Sequence, residues 1–108
     1  MMTDYELGWL AGIFEGEGCV SVTNTSGPSR KQRQWSAIVN MTDEDVVRRF
    51  HSTVGIGSVR PEPHPPHKTS WRWKIAGQED VLNFCALLGP HMGTRRMAKM
   101  LTCLSDTA

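Results

Sequence analysis

Cysteine is scarce in this chain of 108 residues: Cys19, Cys85 and Cys103 are the only three, and no two of them are spaced C-x-x-C. The odd count and the spacing point neither to a disulfide framework nor to a structural zinc site, and they fit a reducing, intracellular compartment. Long apolar runs are missing too. No window approaches the ~20 apolar residues that span a bilayer. The start, Met1-Met2-Thr3-Asp4-Tyr5-Glu6, lacks the basic and apolar regions of a signal peptide. No membrane partner is expected. Net charge is nearly absent as well, with 12 Lys+Arg against 11 Asp+Glu giving +1. That excludes a uniformly basic protein that coats any polyanion, but not one with opposed charged surfaces. What remains is 39% hydrophobic and 21% charged, a globular composition. The length predicts a single domain over 1–108 with one modest core.

Local patterns place the elements. Thr3 and Glu6 form a capping box that opens a helix. Leu7, Leu10, Ala11 and Phe14 then recur at the spacing of one buried helical face, and Gly16 and Gly18 stop it. Cys19 to Thr25 alternates as a strand, Ser26-Gly27-Pro28-Ser29 is a turn, and a second strand runs from about Gln32 to Met41. Trp35, Ala37, Val39 and Met41 form its apolar face. Thr42-Asp43-Glu44-Asp45 starts a second helix with Val46, Val47, Phe50 and Val54 inward. A short strand is expected around Ser58-Val59-Arg60, and Pro61 to Pro66 reads as a loop, since proline removes ladder hydrogen bonds. Ser70 to Ala76 alternates clearly, with Trp71, Trp73 and Ile75 inward and Ser70, Arg72 and Lys74 outward. Helices follow over Gln78–Leu88 and roughly Thr94–Leu104. Hairpins with helices on one side give an α+β sheet with one covered and one bare face.

The end of the first helix is anomalous. Glu15 and Glu17 stand where the helix dipole is already negative, a placement that costs roughly 0.3–1 kcal/mol each. Carboxylates together with the free carbonyls of a helix end suit a hard divalent cation. Gly8, Gly12 and Gly16 recur every fourth residue, although each interior glycine costs ~1 kcal/mol against alanine. They suit either the close approach of a second helix or a position under an adjacent strand, and the glutamates could equally be solvated ends of a surface helix.

Leu10-Ala11-Gly12-Ile13-Phe14-Glu15-Gly16-Glu17-Gly18 resembles the LAGLIDADG motif of homing endonucleases and related maturases. Trp9 before it and Cys19-Val20-Ser21-Val22 after it fit the same family, and the α-β-β-α-β-β-α order extends the resemblance over nearly the whole chain. The resemblance implies a half-saddle with an antiparallel sheet, helices on one face and DNA on the other. It implies that Glu17 binds the catalytic metal, Mg²⁺ or Mn²⁺, with the Gly16 carbonyl, and that Glu15 is structural. It also implies that Gly8, Gly12, Ile13 and Gly16 lie where two motif helices pack. One motif implies a homodimer whose C₂ axis brings two Glu17 together. Two positions depart from the pattern or align loosely. Glu17 stands where the motif's name has Asp. The polar position after the second strand, often Gln in relatives, falls on Asp43, which also reads as a plain helix cap. The assisting base falls on Arg95, with Arg96 as a competitor.

The expected reaction is hydrolysis of a phosphodiester by water, with Arg95 stabilising charge on the phosphate, because no protein nucleophile stands out. Base reading falls to Ser21, Thr23, Thr25, Gln34, Ser36, Asn40, Arg60, Ser70, Arg72 and Lys74, whose residue types suit major-groove edges. Arg30, Lys31 and Arg33 are expected phosphate contacts at the first hairpin. His64 and His67 read as a loop pair open to solvent or phosphate. The preferred function is a site-specific, double-strand DNA endonuclease acting as a homodimer on a long pseudo-palindromic site. Such proteins are carried by introns, inteins or phages, so a cytoplasmic, bacterial or phage-encoded setting is expected. A non-cleaving module, either an intron RNA maturase or a DNA-binding regulator, is the alternative, and an intein fragment is a third; the capping box at Thr3 favours a native start. Charge supports a nucleic-acid partner once it is divided along the chain. Residues 18–42, 56–76 and 90–101 carry a formal +9, and the rest carries −8.

Overall fold

The computed structural model describes residues 2–25, 32–95 and 98. The order is α1 (Asp4–Glu17), β1 (Gly18–Thr25), β2 (Gln32–Met41), α2 (Glu44–Val54), β3 (Ser58–His64), β4 (His67–Ala76), α3 (Gln78–Leu88) and a 3₁₀ turn over Gly89–His91. The capping box forms as expected. The Glu6 N–H donates to Thr3 Oγ1 at 3.1 Å, and the Thr3 N–H donates to Glu6 Oε1 at 2.9 Å. These hydrogen bonds, the backbone one foremost, hold the Glu6 carboxyl below the usual carboxylate range. Its contribution is therefore present above the unfolded pKa and fades as pH falls through the lowered value.

The four strands form one antiparallel sheet in the order β1-β2-β4-β3. Two long hairpins are joined through the central β2–β4 pair, with Val39 opposite Trp73 and Ala37 opposite Ile75. Alternation sends these residues to one face, where they meet the buried residues of the helices: Leu10, Ala11 and Phe14 of α1, Val47 and Phe50 of α2, and Val81, Phe84, Cys85 and Leu88 of α3. Trp73 is fully buried at the centre, 4.8 Å from Phe50 and 5.2 Å from Phe84 between ring centroids. Its Nε1–H donates to the Ile56 carbonyl at 3.0 Å, which satisfies the indole's polar end. Outside the core, Arg49 lies 4.1 Å over the Trp9 ring.

Two expectations need correction. Pro61 to Pro66 is not all loop: Pro61 and Pro63 lie within β3, and only Pro65 and Pro66 form the turn to β4. Proline is tolerated there because β3 is an edge strand, where missing N–H donors leave no neighbour unpaired. The strand beginning at Ser58 therefore extends to His64, and β4 starts at His67 rather than Ser70. The expected turn over 26–29 lies outside the described residues. So does most of the last helix, of which Thr94, Arg95 and Ala98 are helical. No helix among the described residues is long and apolar enough to cross a membrane.

Gly57 lies in the left-handed region at φ +97, and a Cβ there would approach Trp73 Nε1 to 2.7 Å and the Lys74 carbonyl to 2.8 Å. Gly57→Ala should therefore cost about 1–3 kcal/mol, read as a lowered denaturant midpoint with an unchanged slope.

Candidate functional site

The same alternation that buries Trp73 turns every second residue of the sheet to the opposite face. Across the strands, that face carries Ser21, Ser36 and Ala76 in one row and Cys19, Ile38, Lys74 and Ser58 in the next. Asn40, Arg72 and Arg60 form a third row, followed by Ser70 opposite Glu62. Of the residues expected to read bases, Ser21, Gln34, Ser36, Asn40, Arg60, Arg72 and Lys74 share this surface. Ser21 and Ser36 are hydrogen-bonded to each other at 3.0 Å. Thr23 pairs with Gln34, Thr25 with Gln32 and Arg33 with Asn24 in the β1–β2 register; the side chains of Thr23, Thr25 and Arg33, and the whole of Arg30 and Lys31, lie outside what the structure describes.

Ser70 departs from expectation. It lies on this face but is only 8% exposed, and its Oγ is 3.0 Å from His64 Nε2. The hydroxyl that was to face outward is engaged by a neighbouring strand. His64 and His67 are partners at the hairpin end, both exposed. The face also holds a residue that the sequence reading passed over. Glu62 accepts a hydrogen bond from Asn40 Nδ2 at 2.9 Å and lies 3.2 Å from Arg72 Nε. The signal was available in principle, since a lone acid stands among the bases of 56–76, but it required β3 to continue past Pro61.

At one end of this face, α1 runs into β1 without a loop. Gly18 is both the helix cap and the first strand residue, and a Cβ on it would run into the Phe14 ring. Glu17 is thereby fixed as the last helical residue, exposed, in a final turn that holds no base. It lines a cavity of about 380 Å³ together with Asn40, Met41, Thr42, Asp43 and Ser70. Glu17 and Asp43, far apart in sequence, thus share one recess. Asp43 does occupy the N-cap position of α2, but among the described residues its side chain makes no capping bond. That removes the energetic content of a plain cap and leaves the carboxylate free to act in the recess.

Glu15 has a different task. Its Oε1 accepts a hydrogen bond from the Gly93 N–H at 2.8 Å, and a Cβ at Gly93 would come within 2.7 Å of Oε2. The carboxylate pins the segment that leads to Arg95, which is exposed and helical. Arg96 lies outside the described residues. Gly8, Gly12 and Gly16 line an exposed stripe of α1, and among the described residues a Cβ at any of them would meet nothing within 4 Å. Packing among the described residues therefore does not explain them, and none of the described strands covers them. Ile13 is half-buried.

The oxygen donors at the recess are of the kind a hard divalent cation takes. Among the described residues there is no group of three or more His, Cys, Asp or Glu able to hold an ion. An ion held there would need ligands beyond the carboxylates that the described residues bring together.

No protein-family model matches the sequence, and no curated protein matches it. The structure does have relatives. It is similar to the homing endonuclease I-CvuI, with a TM-score of 0.76 and 20% identity over 94% of this chain and 64% of that one. The homing endonuclease I-TnaI gives a TM-score of 0.75 and 17% identity over 97% of this chain and 71% of that one. The LAGLIDADG meganuclease I-AabMI gives 0.72 and 16% over 92% of this chain, but only 34% of its own. The chain thus spans 64% of I-CvuI and about a third of I-AabMI. The fold is the α+β half-saddle of the LAGLIDADG homing endonucleases.

The division of labour between the two glutamates is measurable. Glu15→Ala should lower stability by about 0.5–1.5 kcal/mol, because it removes the hydrogen bond to the Gly93 N–H at an exposed site, and should leave nucleic-acid affinity within twofold. Thermal melting and a duplex-binding titration on the same sample check it.

Proposed function

We propose that this chain is a LAGLIDADG-type, site-specific DNA endonuclease that acts as a homodimer and hydrolyses phosphodiesters with a divalent metal. The observation that carries the reading is the placement of Glu17. The last residue of the motif helix opens into a recess at the edge of a polar, basic sheet face, and the fold is shared with nucleases. I-CvuI has been crystallised with its target in the presence of calcium, and with another target in the presence of magnesium; I-CeuI and I-Vdi141I have been crystallised with DNA. A DNA partner for this chain follows by analogy of fold, and Arg60, Arg72 and Lys74 on the open face supply the matching charge.

In this reading Glu17 and the Gly16 carbonyl hold Mg²⁺ or Mn²⁺, which when bound supplies charge neutralisation at the phosphate and a more acidic water. Water attacks phosphorus and loses its proton to solvent, and the bond to the leaving oxygen breaks as that oxygen takes a proton from solvent. Asp43, free of a capping bond and facing the same recess, orients that water by accepting its hydrogen bond. Arg95 stabilises the added negative charge on the phosphoryl oxygens. The open faces of Gly8, Gly12 and Gly16 receive the same helix of a second copy, so that two Glu17 residues serve the two strands. The chain acts inside the cell that holds its target.

Glu17→Gln should abolish cleavage of a cognate duplex while leaving its affinity within a few-fold. Wild-type binding should weaken steeply with salt, as counterion release requires. Full cleavage by the glutamine variant overturns the active-site assignment. Duplex binding without cleavage by the wild type, with retained activity toward intron RNA, favours the maturase alternative. A separate test bears on assembly. Gly12→Leu enlarges a position where a Cβ meets none of the described residues within 4 Å; it should keep cooperative melting while shifting sedimentation from dimer to monomer.

A further inference from the structure

The open face of the sheet holds one arrangement that a simple basic surface does not need. Arg60 and Arg72 are direct cross-strand partners, a pairing of like charges that is destabilising by itself. Glu62 lies on the same face, two residues from Arg60. One of its carboxylate oxygens accepts from Asn40 Nδ2 at 2.9 Å, and the other lies 3.2 Å from Arg72 Nε. That Nε is enclosed and, among the described residues, makes no well-aligned hydrogen bond. The arginine side chain as a whole nevertheless stays 38% exposed, and that of Glu62 is 31% exposed. A carboxylate that grips both partners fixes what each presents outward. Arg72 is left with its terminal Nη donors, the pair that matches N7 and O6 of guanine. Asn40 is left with its carbonyl oxygen and one N–H. A carboxylate at this spot also repels a phosphate, so an arginine beside it is biased toward base edges and away from the backbone.

We propose that Glu62 is a specificity-determining positioning residue, which holds Arg72 and Asn40 as a fixed pair for reading a guanine edge and keeps phosphate out of that position. The assignment rests on the DNA reading given above and extends it to a base. Removing the carboxylate should loosen sequence preference while strengthening indiscriminate binding, the opposite of what loss of an ordinary DNA contact does.

The test is selection of bound duplexes from a randomised pool in calcium buffer, using wild-type protein, Glu62→Gln, Glu62→Asp, Arg72→Ala and Arg72→Lys, each first shown to melt cooperatively. Wild type should enrich a consensus containing a guanine preferred about tenfold. Both Arg72 variants should lose that preference, and Arg72→Lys should keep most of the salt dependence. Glu62→Gln should weaken the preference at that position at least threefold, leave the other positions unchanged and bind unselected duplex more tightly. Glu62→Asp, too short to reach both partners, should lie between; it carries the test if the glutamine variant fails to fold. A Glu62 variant that returns the wild-type consensus with its full guanine preference overturns the proposal, as do Arg72 variants that retain the guanine. A wild-type protein that enriches no duplex overturns the DNA reading itself, an outcome distinct from a consensus that survives Glu62 replacement.

Discussion

The burial of Trp73 is the constraint on which the rest of the structure depends. Its ring packs edge-on to Phe50 of α2 and tilted against Phe84 of α3, and Phe84 in turn meets Phe14 of α1 at 5.0 Å. One side chain on β4 thereby gathers α1, α2 and α3 onto one face of the sheet. Aromatic residues of this kind cost roughly 3–5 kcal/mol when truncated, a large part of the stability of a domain this small. Because strand side chains alternate, the inward Trp73 forces Arg72 and Lys74 outward. The core therefore decides where the polar face lies, and a slip of one residue in β4 would exchange the two.

The motif helix can be divided in the same terms. Leu10, Ala11 and Phe14 are buried in the core, and Gly18 must lack a side chain because the Phe14 ring occupies the space. Glu15 holds the Gly93 backbone. These five positions are accounted for by the fold of one subunit. Gly12, Gly16 and Glu17 are not: they are exposed, and a Cβ at either glycine would meet none of the described residues within 4 Å. Three glycines in one helix lower its stability by ~1 kcal/mol each, without any return from contacts with the described residues. Residues that folding does not explain are where a partner helix and a ligand enter the argument.

Much of this was legible in the sequence. The helix starts, the two central strands and the division of β4 into inward and outward residues follow from spacing alone, because each period reflects a single burial pattern. The Thr3–Glu6 box is local chemistry and formed as read. What could not be read depends on context outside the local window. Whether prolines exclude a strand depends on whether it lies at an edge, so Pro61 and Pro63 misplaced the end of β3. Ser70 was assigned outward by alternation, correctly as to face, but His64 reaches it from the next strand. Asp43 was open between a plain cap and the polar position the resemblance implies; the structure shows it at the N-cap without a capping bond and lining the recess with Glu17.

Glu62 illustrates the same limit and changes how the charge is understood. Residues 18–42 and 56–76, which supply the strands, contain seven bases and one acid. Counted as net charge, that acid only weakens a basic surface. Placed in the sheet, it stands beside the cross-strand pair of Arg60 and Arg72, accepts a hydrogen bond from Asn40 and forms an ion pair with Arg72. A surface that only attracts phosphate would gain from losing it, since its removal strengthens the positive field. A surface that must distinguish one base from another gains from keeping it, because a pinned guanidinium has fewer alternative partners and less rotamer freedom to lose on binding. The near-neutral total is thus the sum of acidic stretches, the first helix and the starts of the second and third among them, and of basic strands together with residues 90–101. The single acid among the basic strands converts attraction into selection.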